Sequence, residues 1–203
     1  MDLILIRHIA TDYNRPGIYM GRSLDLNITP EGVKRFRYTL NDFVERFRVP
    51  KETLLLCSPL SRCYQTLLIV KEVLGLSGVI ESSSEFNETN YGDFEGKGAQ
   101  EIQEQYPYLV DTWLHKPAQI RFPRGESFLE VQQRAMDKLQ KLEVAYSGET
   151  VLVCTHVDVI KMIVCALLDI SIDKKVFFDI STGSFTHIVS TYRGLTVKGL
   201  NFV

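Results

Sequence analysis

The sequence predicts an α/β fold: a three-layer sandwich with a mostly parallel central sheet, helices on both faces and an inserted cap. Three observations carry this. Short apolar runs (DLILI, TLLLC, TVLVC) alternate with longer stretches of helical spacing, the pattern of a sheet covered by crossover helices. The segment from 82 to 125 breaks that alternation, as an excursion over the top of a sheet does. No repeat, linker or low-complexity tract divides the 203 residues, and 45% of them are hydrophobic, enough for one substantial core.

DLILI is short, apolar and bounded by polar residues, so it reads as the first strand. A loop rich in Gly, Pro, Asn and Asp follows through residue 28. Thr29-Pro30 then has the form of an N-cap with proline at the first helical position. Val33, Phe36, Leu40, Phe43, Val44 and Phe47 keep helical spacing up to Pro50. TLLLC (53–57) is the second strand. Ser58-Pro59 repeats the cap-plus-proline opening, for a helix running to about Leu74 and ended by Gly75. Residues 79–81 form a short third strand. Residues 82–125 hold Gly, Asn, Pro, aromatics and short helical pieces such as AQEIQEQY. A strong helix spans Glu126 to Tyr146, with Phe128, Val131, Ala135, Leu139 and Leu142 on one face. ETVLVCT (149–155) is the fourth strand, and VDVIKMIVCALL is the helix after it. SFTHIVSTY and LTVKGLNFV, separated by Arg193-Gly194, close the chain as a hairpin.

The charge balance, 23 basic against 25 acidic residues, gives no electrostatic case for nucleic acid or a membrane surface. No run approaches the roughly 20 apolar residues of a membrane span, and the opening MDLILIRH lacks the form of a secretory leader. Cys57, Cys63, Cys154 and Cys165 make no C-x-x-C pair. They read as reduced core thiols, so the expected location is cytoplasmic, and the histidines are not spaced for a zinc site. Nothing in the sequence fixes the oligomeric state, a homodimer included.

Ligands of such sheets bind beyond the carboxyl ends of the strands. The first strand ends in Arg7-His8, the second in Ser58-Pro59 with Arg62 in the next helical turn, and the fourth in Thr155-His156. Two histidines and two arginines thus converge on one rim. Guanidiniums match phosphate oxygens with planar paired donors, and a neutral imidazole attacks phosphorus to hold the group as an N–P bond.

The blocks LIRH…TDYN, CSPLSRCYQT, FNETNYGDFEG, PRGESF and VCTHVDVIK fall in the order and spacing of the histidine phosphatase superfamily. In this the chain resembles cofactor-dependent phosphoglycerate mutase and the α-ribazole phosphatase-type branch. The resemblance implies His8 as the phosphate-accepting nucleophile, Arg7 and Arg62 as phosphoryl clamps, and His156 as the second histidine. It implies Glu88 as the acid that protonates the leaving oxygen. Thr11 and Asn14, in the T-x-x-N segment, would bind substrate, as would Arg22 in MGRS. The implied activity is hydrolysis of a small phosphorylated metabolite through a phosphohistidine, with no metal and no cofactor. A mutase that retains the phosphoryl group is the alternative, and a non-catalytic phospho-ligand binder a third reading. Relatives of this length act on several classes of ester, so the substrate stays open.

The chain departs from the family where Ile9 and Val157 replace residues that are usually small. Both resist positive φ. The expectation is ordinary φ, side chains turned to the core, and N–H groups still facing the phosphate. His187 reads as structural and His115 as a surface residue of the cap. The basic face around Lys34, Arg35 and Arg37 reads as solvated, and Asp158 as a helix N-terminal carboxylate. Arg121 and Arg124 are candidates for a second anionic group, and Tyr91 and Phe94 for an apolar wall beside Glu88.

Overall fold

The computed structural model of the chain describes residues 1–14 and 18–203; residues 15–17 of the predicted 9–28 loop lie outside the described residues. Twelve helices and strands frame the described chain. They run β1 (Asp2–Arg7), α1 (Pro30–Arg46), β2 (Leu54–Cys57), α2 (Ser61–Leu74), β3 (Ile80–Ser82), α3 (Ala99–Gln105), α4 (Pro107–His115), α5 (Phe128–Ala145), β4 (Thr150–Thr155), α6 (Val157–Leu167), β5 (Phe185–Thr191) and β6 (Gly194–Phe202). The sheet order is β3-β2-β4-β1-β5-β6. β3, β2, β4 and β1 are parallel, whereas β5 runs antiparallel to β1 and β6 antiparallel to β5.

The central strands are apolar throughout because both their faces are covered. Leu3, Leu5, Val151 and Val153 point into one core with α5, α6 and the cap. Ile4, Ile6, Leu152 and Cys154, one residue out of step, point into the other with α1 and α2. The two-residue period of a strand makes this division unavoidable. It also places the polar residues after β1, β2 and β4 together at one edge.

Helix starts show where sequence reading succeeds and fails. Thr29 caps α1 by accepting from Gly32 N, with Pro30 at the first position as expected. Ser58 does not cap α2. That helix starts at Ser61, the apolar side chain of its N-cap residue Leu60 makes no capping hydrogen bond, and the Asp25 carboxylate accepts from Ser61 N at 2.8 and 3.0 Å. The Ser58 hydroxyl is spent elsewhere, as described below. α5 begins two residues later than predicted, because Ser127 and Glu130 form a reciprocal capping box. β3 pairs with β2 one residue further along than expected. Val44, assigned to the apolar face of α1, is 43% exposed.

The segment 83–125, expected as a cap, holds α3, α4 and short 3₁₀ turns. Its interior is aromatic: Tyr91, Phe94, Trp113 and Phe122 meet edge-on or tilted, together with Tyr19. Gly92 has φ +54, and a Cβ there would sit 2.0 Å from Pro123 O, so only glycine lets these two turns touch. His187 is structural, as expected: Nε2 lies 2.6 Å from Asp2 Oδ1, tying the closing hairpin to β1.

Candidate active site

The carboxyl ends of β1, β2 and β4 open into a pocket of about 640 Å³, lined by Arg7, His8, Asn14, Tyr19, Arg62, Glu88, Tyr91 and Val157 among others. β1 delivers Arg7 and His8. α2 delivers Arg62 as its second residue. His156 is the N-cap residue of α6, directly after β4. Glu88 comes from the cap, between two 3₁₀ turns.

Main-chain carbonyls fix both guanidiniums. Arg62 is fully buried, with Nη1 donating to Leu24 O and Nη2 to Gly21 O, each at 2.9 Å. Gly21 has φ +56, and the Glu95 carboxylate fills the place its side chain would take. Arg7 Nη1 donates to Ile180 O. The Nε atoms of Arg7 and Arg62 and the Nδ1 of His156 are buried without a partner. Buried polar groups are normally paired, so the two unpartnered guanidinium nitrogens on residues that line one pocket mark a site shaped for an acceptor-rich ligand.

His8 is held in one tautomer. Its Nδ1 lies 2.7 Å from Ile9 O, and a carbonyl only accepts, so Nδ1 carries the proton and Nε2 the lone pair. Burial first, then Arg62 and Arg7, push its pKa well below the ordinary value, which keeps the ring neutral and nucleophilic. The two imidazoles lie edge to face with centroids 5.1 Å apart. His156 Nε2 is 2.8 Å from Ser58 Oγ, which donates to Asn87 Oδ1 at 3.0 Å. The serine therefore accepts from the histidine. Burial, Arg62 and His8 also hold His156 well below its usual pKa. Glu88 is 6% exposed, its Oε2 4.0 Å from His156 Nδ1. Burial and then Asp158 raise its pKa to about 7, against the lowering effect of the Thr89 N–H and the two arginines.

Other expected residues are placed differently. Thr11 is not in the pocket wall; its N–H and hydroxyl donate to Asn14 Oδ1 at 2.7 and 3.1 Å. Asn14 does line the pocket. Arg22 is turned away, its Nη1 3.8 Å from Glu126. Ile9 and Val157 have no positive φ. The Ile9 N–H, however, does not face the pocket: it donates to Thr66 Oγ1 at 2.9 Å while the side chain is buried. Val157 is half-buried and its side chain lines the pocket. Arg121 pairs with Glu130 and Arg124 with Asp93, so neither meets the pocket. His115 is exposed beside Asp111. Phe94 is fully buried in the cap, and Tyr91 alone forms the wall beside Glu88.

The sequence reading missed three features. Ser58 and Asn87 orient His156, a role that helix-cap chemistry masked. Arg35 reaches the pocket mouth from the basic face of α1, beside the buried Phe36 that sets that helix's rotation. Asp158 stands in the first turn of α6 as expected, but nothing in the sequence showed that it is 4% exposed and bonded to Lys175.

Residues 3–203 match the family model of the histidine phosphatase superfamily (branch 1). The chain belongs to the histidine phosphatase superfamily. It is 27% identical over 201 residues to phosphoserine phosphatase 1 of Hydrogenobacter thermophilus, covering 99% of this chain and 92% of that protein. It is 28% identical over 185 residues to the 2,3-bisphosphoglycerate-dependent phosphoglycerate mutase of Cytophaga hutchinsonii, covering 90% and 84%. It matches the solved structure of Bacillus stearothermophilus YhfR with a TM-score of 0.88 at 28% identity, over 100% of this chain and 97% of that one.

Proposed function

We propose that this member of the superfamily is a phosphomonoester hydrolase that works on a small phosphorylated metabolite through a phosphohistidine on His8. The observation that carries the reading is the pair of unpartnered guanidinium nitrogens, Arg7 Nε and Arg62 Nε, beside the lone pair of a tautomer-locked histidine.

The His8 Nε2 lone pair attacks phosphorus, and the P–O bond to the alcohol breaks on the opposite side. Arg7 and Arg62 meet the charge of the equatorial oxygens, and the His156 Nδ1 lone pair takes the P–OH proton of a bound monoanion and then meets that oxygen's charge. Glu88, whose pKa near 7 keeps much of it protonated, gives its proton to the leaving oxygen. Its carboxylate then takes a proton from water as that water attacks phosphorus and the N–P bond breaks. Phosphate leaves and both residues return to their starting states. In this reading the reaction uses neither metal nor cofactor, because the guanidiniums supply the positive charge.

A mutase must hold the phosphorylated state against water. Here Tyr13 and Ile18 at the pocket mouth are 42% and 38% exposed, which favours hydrolysis. A mere binder has no use for a buried acid of raised pKa. Among the described residues no helix is long and apolar enough to cross a membrane, and four free cysteines suit a reducing cytoplasm.

The test is covalent. Brief mixing with labelled substrate, quenched without acid, leaves acid-labile phosphate on the peptide carrying His8, and His8→Ala abolishes it. Label on a serine or cysteine instead would sink the mechanism.

A further inference from the structure

Behind the pocket wall lies a buried ion pair that the mechanism above leaves unused. Asp158, in the first turn of α6, is 4% exposed, and Lys175, in the 3₁₀ turn Ile172–Phe177, is 7% exposed. Lys175 Nζ is 2.7 Å from Asp158 Oδ1 and 3.3 Å from the centroid of the Phe128 ring. A buried pair gains little stability over an apolar pair of the same shape, so stability alone does not account for it.

Its neighbours do. The Tyr91 phenol donates to Asp158 Oδ2, and the Thr89 hydroxyl donates to the same oxygen at 3.4 Å. The Thr89 N–H donates to Glu88 Oε1 at 2.9 Å. One carboxylate thus holds both the residue that fixes the Glu88 carboxyl and the ring that walls it.

We propose that Asp158, itself held by Lys175, is a positioning residue that fixes the segment 88–91 against the pocket and keeps a proton on Glu88 between turnovers. The proposal rests on the reading of Glu88 as general acid. Around Glu88 stand Arg7 from β1, Arg62 from α2, His8 and His156 from the strand ends, Tyr91 on its own loop and Arg134 from α5, which reaches the Glu88 main-chain oxygen at 3.3 Å. The arginines favour the carboxylate. Asp158 is the negative charge that opposes them, with Lys175 offsetting part of it from the other carboxylate oxygen, and a nearby like charge disfavours ionisation.

The experiment uses Asp158→Asn/Lys175→Met, which removes both charges and keeps the two hydrogen bonds to residue 158 and the packing on Phe128. The Glu88 carboxyl is titrated by ¹³C NMR in the whole protein, its signal assigned by loss in Glu88→Gln. The wild type is expected near pH 7, and the double variant lower by about one pH unit or more. The alkaline limb of kcat/KM on glycerol 2-phosphate moves to lower pH by the same amount, while p-nitrophenyl phosphate, which needs no acid, shows no such movement. An unchanged Glu88 midpoint in the folded double variant overturns the proposal, whatever the kinetics. If the double variant does not fold, Asp158→Asn alone is read the same way. A shifted midpoint with an unmoved limb on the alkyl ester leaves Asp158 in place and counts against Glu88 as the acid.

Discussion

Glu88 and the arginines do different work on the same phosphoryl group, and a choice of leaving group separates them. An alkoxide is a poor leaving group and needs the Glu88 proton; a nitrophenolate needs little help. Glu88→Gln should cost about 10²-fold or more in kcat/KM on an alkyl phosphate and far less on p-nitrophenyl phosphate. Arg62→Ala removes charge from the group both esters share, so it should cost both about 10²-fold or more. Equal losses for Glu88→Gln on the two esters would remove it as general acid. Glu95 could not replace it, because its carboxylate oxygens already accept from the backbone N–H groups of Tyr91, Arg22 and Ser23. Arg7, His8, Arg62 and His156 stood out in the sequence because each is a polar side chain set at the end of an apolar run. Thr11 and Arg22 bond to Asn14 and Glu126 instead of lining the pocket, partners set by loop geometry rather than spacing. Asp158 is the helix N-terminal carboxylate expected, but its burial was illegible, because such a carboxylate looks the same in sequence whether water or Lys175 faces it.

At the level of elements, two helix starts with equal chemistry have unequal consequences. Ser127 caps α5 from the adjacent residue, far from the strand ends. Asp25 caps α2 from a remote loop, and the residue it holds, Ser61, precedes Arg62. Ser127→Ala and Asp25→Ala should each cost about 1 kcal/mol of stability, a fall in Tm of roughly 2–4 °C. Only Asp25→Ala should also lower kcat/KM, because it frees the turn that aims Arg62. Thermal melts and steady-state kinetics on both variants check this, and unchanged kcat/KM in Asp25→Ala would reduce Asp25 to a simple cap. The start of α2 was illegible in sequence for the same reason: Ser58-Pro59 has the composition of a cap, but the Ser58 hydroxyl bonds Asn87 and His156. Starts whose caps are local, at Thr29 and Ser127, were legible or nearly so.

Across the whole molecule, the sheet and its covering helices were readable because two periods, two for strands and 3.6 for helices, write burial directly into the chain. The cap was not, because its core is built by aromatic rings meeting across loops, with no period to follow. The fold as a whole carries the cost of an active site whose buried nitrogens lack partners, and each such group costs on the order of 1–3 kcal/mol when left unmade. Inorganic phosphate offers acceptors to both guanidiniums and a P–OH donor to the His156 Nδ1 lone pair, and binds only the folded chain. At a hundred times its Kd it should therefore add about 2.7 kcal/mol to stability, which for a chain of this length raises Tm by roughly 5–11 °C. The guanidiniums supply the positive charge, so the rise should be the same after exhaustive chelation. Arg62→Ala, which deletes one donor and the carbonyl contacts that hold the 21–24 turn, should lose most of it. Melts over a phosphate series, with and without chelator, decide the matter: no rise in the wild type, or a rise that needs added Mg²⁺ or Zn²⁺, would mean that the pocket does not meet phosphate through Arg7, Arg62 and His156.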